Sequence, residues 1–273
     1  MIERQQHGAE MVHIGVIVEG RYHSQAQPAG MIAALGARPR VNVVEVRSSD
    51  DLDECAVVVA RGRSEAVIAL LAAAEDRGLR TVNSSRAVRS VLDKIVMHER
   101  LVEAGVAVPK TWTGPVDVLR TRLADHRDAL VIKPVFGDNC RDVIVLPDGR
   151  ALSALRWTEP RAIVQQHIPN DGFDVKLYGI GDEVWVVRKP SPLYASGKRS
   201  TLMATRACYV KLAHRCRDAF GLDLYGVDCI DGADGLIVIE VNDFPNYTGI
   251  AGADQRLARF AESAVGRNLV VVS

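Results

Sequence analysis

The chain carries no HExxH, no GxSxG and no Walker-type GK[ST], which removes the simplest zinc-protease, serine-hydrolase and P-loop readings. Gly15 and Gly20 have P-loop spacing, but Arg21-Tyr22 replace the required Lys-Ser/Thr and Gly15 falls inside an apolar strand pattern. Cysteines are few and unpatterned: Cys55, Cys140, Cys208, Cys216 and Cys229 are odd in number and show neither CxxC nor zinc-ligand spacing. That fits reduced thiols in a cytoplasmic protein rather than a disulfide framework. No apolar run reaches about 18 residues, so no transmembrane helix is expected. The opening MIERQQHGAE lacks an apolar signal core and is expected to be a polar tail on a protein that is not secreted. Neither sign of charge dominates, with 34 Lys plus Arg against 34 Asp plus Glu. No global field therefore favours nucleic acid or a membrane surface, and a basic site must be local. Aromatics are 5% of residues, and Phe136, Tyr178 and Trp185 are too scattered to form a base-stacking platform. His98 and His214 sit alone in helical patterns and read as surface residues, and no repeat or low-complexity segment is visible.

What remains, 48% hydrophobic and 25% charged, is an ordinary soluble globular composition. A chain of 273 residues has room for one elaborate domain or a few small ones. Strand patterns at 12–19, 41–46, 55–60 and 79–82 alternate with helical patterns in SQAQPAGMIAAL and at 65–76, the latter closed by Gly78. This alternation predicts a small parallel α/β sheet early in the chain. Asn83-Ser84-Ser85 offers a helix cap, and 91–104 reads as one amphipathic helix ended by Gly105, with Lys94 near its start. By itself Lys94 reads as a solvated lysine. Pro109 opens an extended connector, a polar helical stretch follows, and 130–146 reads as a hairpin with FGDNCRD at its tip. Lys133 interrupts the apolar strand ALVIKPV and needs an anionic partner or a wet cleft, because an isolated buried charge is unfavourable. Backbone N–H groups of the hairpin tip, with Arg141, are candidates to fold over phosphates.

The strand IVQQHI at 163–168 leads into a Pro-Asn-Asp-Gly turn and a hairpin, 173–180 with 183–189, around Gly181-Asp182. Alternation places Asp174, Lys176 and Tyr178 on one face, while Arg188 closes the second strand. A loop at 196–200 and a helix over 202–220 are expected next, then strands 225–230 and 236–241 around a turn-rich 231–235. Glu240 and Asn242 project from one face of that last strand, and Asp228 can lie beside them. Both acids interrupt apolar runs, and two carboxylates with an amide oxygen suit a hard cation such as Mg²⁺. Basic density at Lys176, Arg188, Lys189, Lys198 and Arg199 precedes this acidic hairpin, the order a nucleotide phosphoryl-transfer site would use.

Taken together, ALVIKPV, IVQQHI, DVKLYGIGDEVWVVRKPS and GVDCID…VIEVNDFPNYTG resemble the ATP-grasp superfamily. TVNSSRAVRSVLDK and GVAVPKT look like the junction between that family's N-terminal and nucleotide-binding domains, so most of 80–250 is covered. The resemblance implies an α/β (α+β) ATP-grasp fold: a small N-terminal parallel α/β domain over 11–90, a lid-like central subdomain over 91–167 and a C-terminal subdomain over 168–273 with the metal site. It implies that Lys94 and Lys133 reach the phosphates of ATP and that the loop ending at Arg141 covers them. Gln165, Gln166, His167 and Ile168 would form the hinge whose backbone meets adenine, and Asp174 would lie near the ribose. Lys176 and Arg188 would face the γ-phosphate and the acceptor, and Asp228, Glu240 and Asn242 would hold one or two Mg²⁺ ions, with Mn²⁺ as a substitute. VNSSRAV…DK and VIEVN are similar to the RimK-like branch, which implies a ligase joining small-molecule or peptide carboxylates to amines through an acylphosphate. No nucleic-acid or membrane partner is implied, and a homo-oligomer is compatible. DVKLYGIGDEVWVVRKPSP and VNDFPNYTG also resemble the inositol polyphosphate kinases of the superfamily, for which Lys189, Lys198, Arg199 and Arg206 would supply an extra phosphate patch. A nucleotide-binding regulator without catalysis is a third alternative, disfavoured by the full set of metal ligands.

Overall fold

The computed structural model describes residues 11–137, 140–194, 199–233 and 235–265. The polar opening stretch, and Ser196, Gly197 and Lys198 of the expected loop, lie outside them. The chain divides into two units, one holding the residues up to Ser85 together with those from Asn246, the other Arg86–Pro245.

In the first unit the order is β1 (Val12–Val18), α1 (Ala26–Gly36), β2 (Val41–Glu45), β3 (Val57–Arg61), α2 (Glu65–Asp76) and β4 (Arg80–Val82). All pairings are parallel, in the order β2-β1-β3-β4, as the strand–helix alternation predicts. Every position of β3, VVVAR, is buried, the pattern of an inner strand covered on both faces. Gly15 sits within β1, where a Cβ would meet Cys55 Sγ at 2.8 Å and Val46 Cγ2 at 3.0 Å, so this glycine serves packing. Ser64 caps α2 by accepting the Val67 N–H, and Gly78 leaves it with φ of 78°.

The second unit begins in α3 (Ser85–Leu92), and here one expectation is corrected. The helix foreseen over 91–104 is broken: Asp93 is extended at φ −85° and ψ 111°, and its carboxylate accepts the N–H groups of Ile95 and Val96. It thereby caps a new helix, α4 (Lys94–Glu103), and makes Lys94 the first residue of that helix. The expected connector is strand β5 (Thr111–Pro115), followed by α5 (Val116–Leu123), β6 (Leu130–Pro134), β7 (Ile144–Leu146), α6 (Gly149–Ala154) and β8 (Arg161–Gln166). These strands form an antiparallel sheet in the order β5-β8-β6-β7. Leu130 and Ile132 of β6 join Leu119, Leu123 and Leu152 in a core on one face, so alternation turns Val131 and Lys133 to the other.

The remaining strands are β9 (Phe173–Ile180), β10 (Glu183–Pro190), β11 (Thr201–Met203), then α7 (Ala207–Phe220), β12 (Leu224–Gly232) and β13 (Gly235–Asp243). Their sheet has the order β11-β10-β9-β12-β13. The helix expected over 202–220 is shorter. Thr201–Met203 add an edge strand to β10, and Arg206 is still extended when α7 begins. One face of the sheet, with Val175, Leu177, Val186, Val227 and Val238, packs with Met97 and Leu101 of α4 and Ala213, Cys216 and Phe220 of α7. The chain returns to the first unit as α8 (Ala253–Val265), where Asp254 accepts from Gln27 Nε2 and Glu262 pairs with Arg38 at 2.5 Å. Among the described residues no helix is long and apolar enough to cross a membrane.

Gly179 of β9 pairs with Tyr225 of β12. A Cβ at position 179 would come within 2.0 Å of Cζ of the fully buried Tyr225 ring. Overpacking of a tight core site typically costs about 1–3 kcal/mol, and Gly179→Ala is expected at or above the upper end of that range. Urea unfolding of Gly179→Ala, Tyr225→Ala and the double variant checks this: the alanine at 179 should cost far less once the ring is gone. Additive losses would contradict it.

Candidate nucleotide site

A cleft lies in the second unit, walled by residues of both its sheets and of α4. Lys94, Lys133, Arg141, Gln165, Gln166, His167, Ile168, Asp174, Lys176, Asp228 and Glu240 line it. Arg188 and Asn242 are not among its walls.

The acids come from a hairpin whose register is interrupted. Asp228 stands opposite Glu240, but the next pair is Cys229 with Val238, which leaves Ile239 as an extra residue on β13. Such a bulge breaks strict alternation: Val238 and Val241 both enter the core, while Ile239 and Glu240 both line the cleft. Asn242 is half-buried opposite Gly226, two pairs further along and so on the face of Asp228 and Glu240. Each carboxylate is matched by a lysine. Lys176 Nζ lies 2.7 Å from Asp228 Oδ2, and Lys94 Nζ lies 3.2 Å from Glu240 Oε1 while donating to Gly137 O at 2.5 Å. Burial opposes the Lys176 charge, but attraction and hydrogen bonding to Asp228 outweigh it and hold the ammonium above the ordinary lysine range. Lys133 shifts the other way: burial pushes its pKa below 10.5 and Lys94 adds to the fall, against the pull of Glu240 and Asp228.

Asp174, 4% exposed, receives bonds from the Ser191 hydroxyl and, at 3.5 Å, from Asn170 Nδ2. Burial raises its pKa despite these donors and Lys176. At the end of β8, Gln166 N donates to Lys110 O and His167 N to Ala129 O, both at 2.8 Å. Those two N–H groups are therefore already engaged by neighbouring segments of the chain. The loop after β6 bends through positive φ at Gly137, Cys140 and Asp142, so two non-glycine residues there take left-handed geometry.

Arg188 is placed elsewhere. It stands opposite Val175, whose side chain is in the core, so it emerges on the reverse face, over the Phe173 ring at 3.6 Å and paired with Asp171. Pro109, Ser191, Tyr194, Ile230 and Ile239 also line the cleft, and no charge or motif in the chain marks them as cleft residues. Tyr194 is fixed through its hydroxyl, 2.8 Å from His167 Nε2.

No group of three or more His, Cys, Asp and Glu able to hold a metal occurs among the described residues. The donor set at the hairpin is instead two register-opposed carboxylates, with an amide oxygen nearby at Asn242. Oxygen-only donors that leave room for water and phosphate ligands suit Mg²⁺.

The model of the RimK-like ATP-grasp domain matches residues 91–257. A probable alpha-L-glutamate ligase of Stenotrophomonas maltophilia (strain K279a) is 31% identical over 200 residues, 68% of this chain and 68% of that protein. A RimK domain ATP-grasp protein from Sphaerobacter thermophilus DSM 20745 shares the fold at a TM-score of 0.71 and 21% identity, over 92% of this chain and 99% of the other. The ATP-grasp ligase PsnB, solved with a minimal precursor, Mg and ADP, does so at 0.70 and 19%, over 93% and 98%. The fold is that of ATP-grasp proteins, and the chain belongs to the RimK-like ATP-grasp family.

Proposed function

We propose that this protein is an ATP- and Mg²⁺-dependent ligase that joins a carboxylate to an amine and releases ADP and phosphate. The observation that carries this reading is one cleft in which Lys94, Lys133 and Lys176 face the opposed carboxylates of Asp228 and Glu240. The ligase relatives favour carboxylate–amine chemistry over a hydroxyl acceptor, as does the neutral chain, since a polyanionic substrate selects for basic excess.

Bound ATP would supply the phosphoryl group, and Mg²⁺ held by Asp228 and Glu240, with Asn242 as a further oxygen donor, would neutralise its charge. Lys94 and Lys133 bind and orient the phosphates. Lys176, protonated throughout the neutral range, stabilises charge as it develops on the transferred group. The acceptor carboxylate attacks the γ-phosphorus and ADP departs. The amine then attacks the acyl carbon and phosphate departs, leaving an amide. Asp174, also a wall of the cleft, would meet a ribose hydroxyl of the nucleotide, and Arg141 would add a cation over the phosphates. Arg188, on the reverse face, has no part in this reading.

Incubation with ATP, Mg²⁺, L-glutamate and a pool of carboxylates and amines, followed by mass analysis, tests it. Expected are ADP, free phosphate and a product lighter than its two precursors by one water. Phosphate retained on a hydroxyl acceptor would replace the ligase reading with a kinase.

A further inference from the structure

A second hollow lies in the same unit, on the face of the β9–β10 sheet that carries Arg188, and is walled by Phe173, Val175, Arg188, Met203, Asp231 and the turn at 169–171. Strand register explains why these side chains meet. Arg188 stands opposite Val175, and Met203 opposite Val186. Val175, Val186 and Cys229 all belong to the core, so Phe173 and Asp231, each two residues along a strand from one of them, turn to the same face. Three charges stand over this apolar floor. Arg188 lies against the Phe173 ring at 3.6 Å and pairs with Asp171, so those two charges neutralise each other. Asp231 is exposed, and among the described residues its carboxylate has neither an ion pair nor a hydrogen bond. The hollow therefore keeps one uncompensated negative charge above Phe173, Val175 and Met203, which suits a side chain with an apolar stem and a cationic head. The neighbouring strand decides what carries that side chain. Met203 belongs to β11, the end strand of its sheet, with Leu202 beside it 58% exposed. An open strand edge takes up an extended chain through main-chain hydrogen bonds, which points to a peptide rather than a small amine.

We propose that this hollow is a docking site for a basic peptide, one arginine or lysine of which lays its stem on the Phe173–Val175–Met203 floor and sets its charge at Asp231. The site is separate from the nucleotide cleft and does not depend on the ligase reading. The two adjoin at Asn170, which is a wall of both.

The test is titration calorimetry of wild type, Asp231→Asn, Asp231→Lys and Asp125→Asn, the last removing an exposed acid between α5 and β6, with melting curves to show that each variant folds. The probes are a tetra-arginine peptide capped at both ends, its tetra-glutamate counterpart and N-acetyl-arginine amide. Wild type should bind the arginine peptide, Asp231→Asn about fivefold more weakly through loss of one exposed ion pair, and Asp231→Lys not detectably. Asp125→Asn should match wild type, and the single arginine should bind about tenfold or more weakly than the peptide. No binding by wild type, unchanged binding by Asp231→Lys, or an equal loss in Asp125→Asn overturns the site. Preference for the glutamate peptide overturns the sign of the ligand, and a single arginine that binds as well as the peptide overturns the peptide assignment.

Discussion

Replacing Lys133 by Ala is expected to weaken MgADP and ATP binding by about a hundredfold, equivalent to about 3 kcal/mol for a charge-assisted contact in a cleft. The reasoning starts from β6, where Leu130 and Ile132 anchor one face in the core and Lys133 is delivered to the other. The nearest acids are already engaged, Glu240 by Lys94 and Asp228 by Lys176, so the Lys133 charge is compensated less than its neighbours'. Its lowered pKa reflects this, and phosphate is the partner that relieves it. The same shift sets a pH dependence. A lysine with a depressed pKa loses its proton at lower pH than usual, so nucleotide affinity should fall as pH rises from neutral towards 10.5. Lys133→Arg keeps its charge throughout and should flatten that slope. Calorimetric titration at several pH values checks both points; equal affinity in wild type and Lys133→Ala would remove Lys133 from the site.

Glu240→Gln should raise the Mg²⁺ concentration needed for half-maximal turnover by about tenfold or more, as loss of a charged metal ligand does. The exchange keeps the shape of the side chain and removes its charge, so the bulge at Ile239 can persist. Lys94, only 7% exposed, loses its carboxylate and keeps the Gly137 carbonyl. Breaking such a pair leaves a buried cation half-satisfied, which adds a stability loss of about 1–3 kcal/mol. Activity against Mg²⁺ concentration and a melting curve separate the two effects. A variant with the wild-type Mg²⁺ profile would exclude Glu240 from metal binding, whatever its melting temperature.

Much of this architecture could be read in the chain because local chemistry and global fold agree there. The β9–β10 hairpin declared itself through alternation on either side of Gly181-Asp182, and Lys133 through its intrusion into an apolar strand. The break at Asp93 was hidden because helical periodicity continues across it, and only the side-chain capping bonds reveal a second start. The edge strand at Thr201–Met203 depends on β10 offering an open edge, information that is not local. Ile239 was illegible for a similar reason: a bulge is a property of two paired strands, and it changes which residues face the cleft without any mark in the sequence of one. The face of Arg188 is different. A two-residue turn already pairs Ile180 with Glu183, and counting back along both strands pairs Asp174 with Lys189. The register was available from sequence, and reading it would have put Arg188 on the face of Val175, away from Asp174 and Lys176.

The ring of Tyr225 lying over Gly179 has a consequence for how this sheet can diverge. The two positions hold a single volume between them, one residue supplying the bulk and the other its absence. In lineages descended from a common ancestor they should therefore drift together: a side chain gained at 179 is tolerable only where the aromatic at 225 has already shrunk, and substitutions at one site alone should be purged.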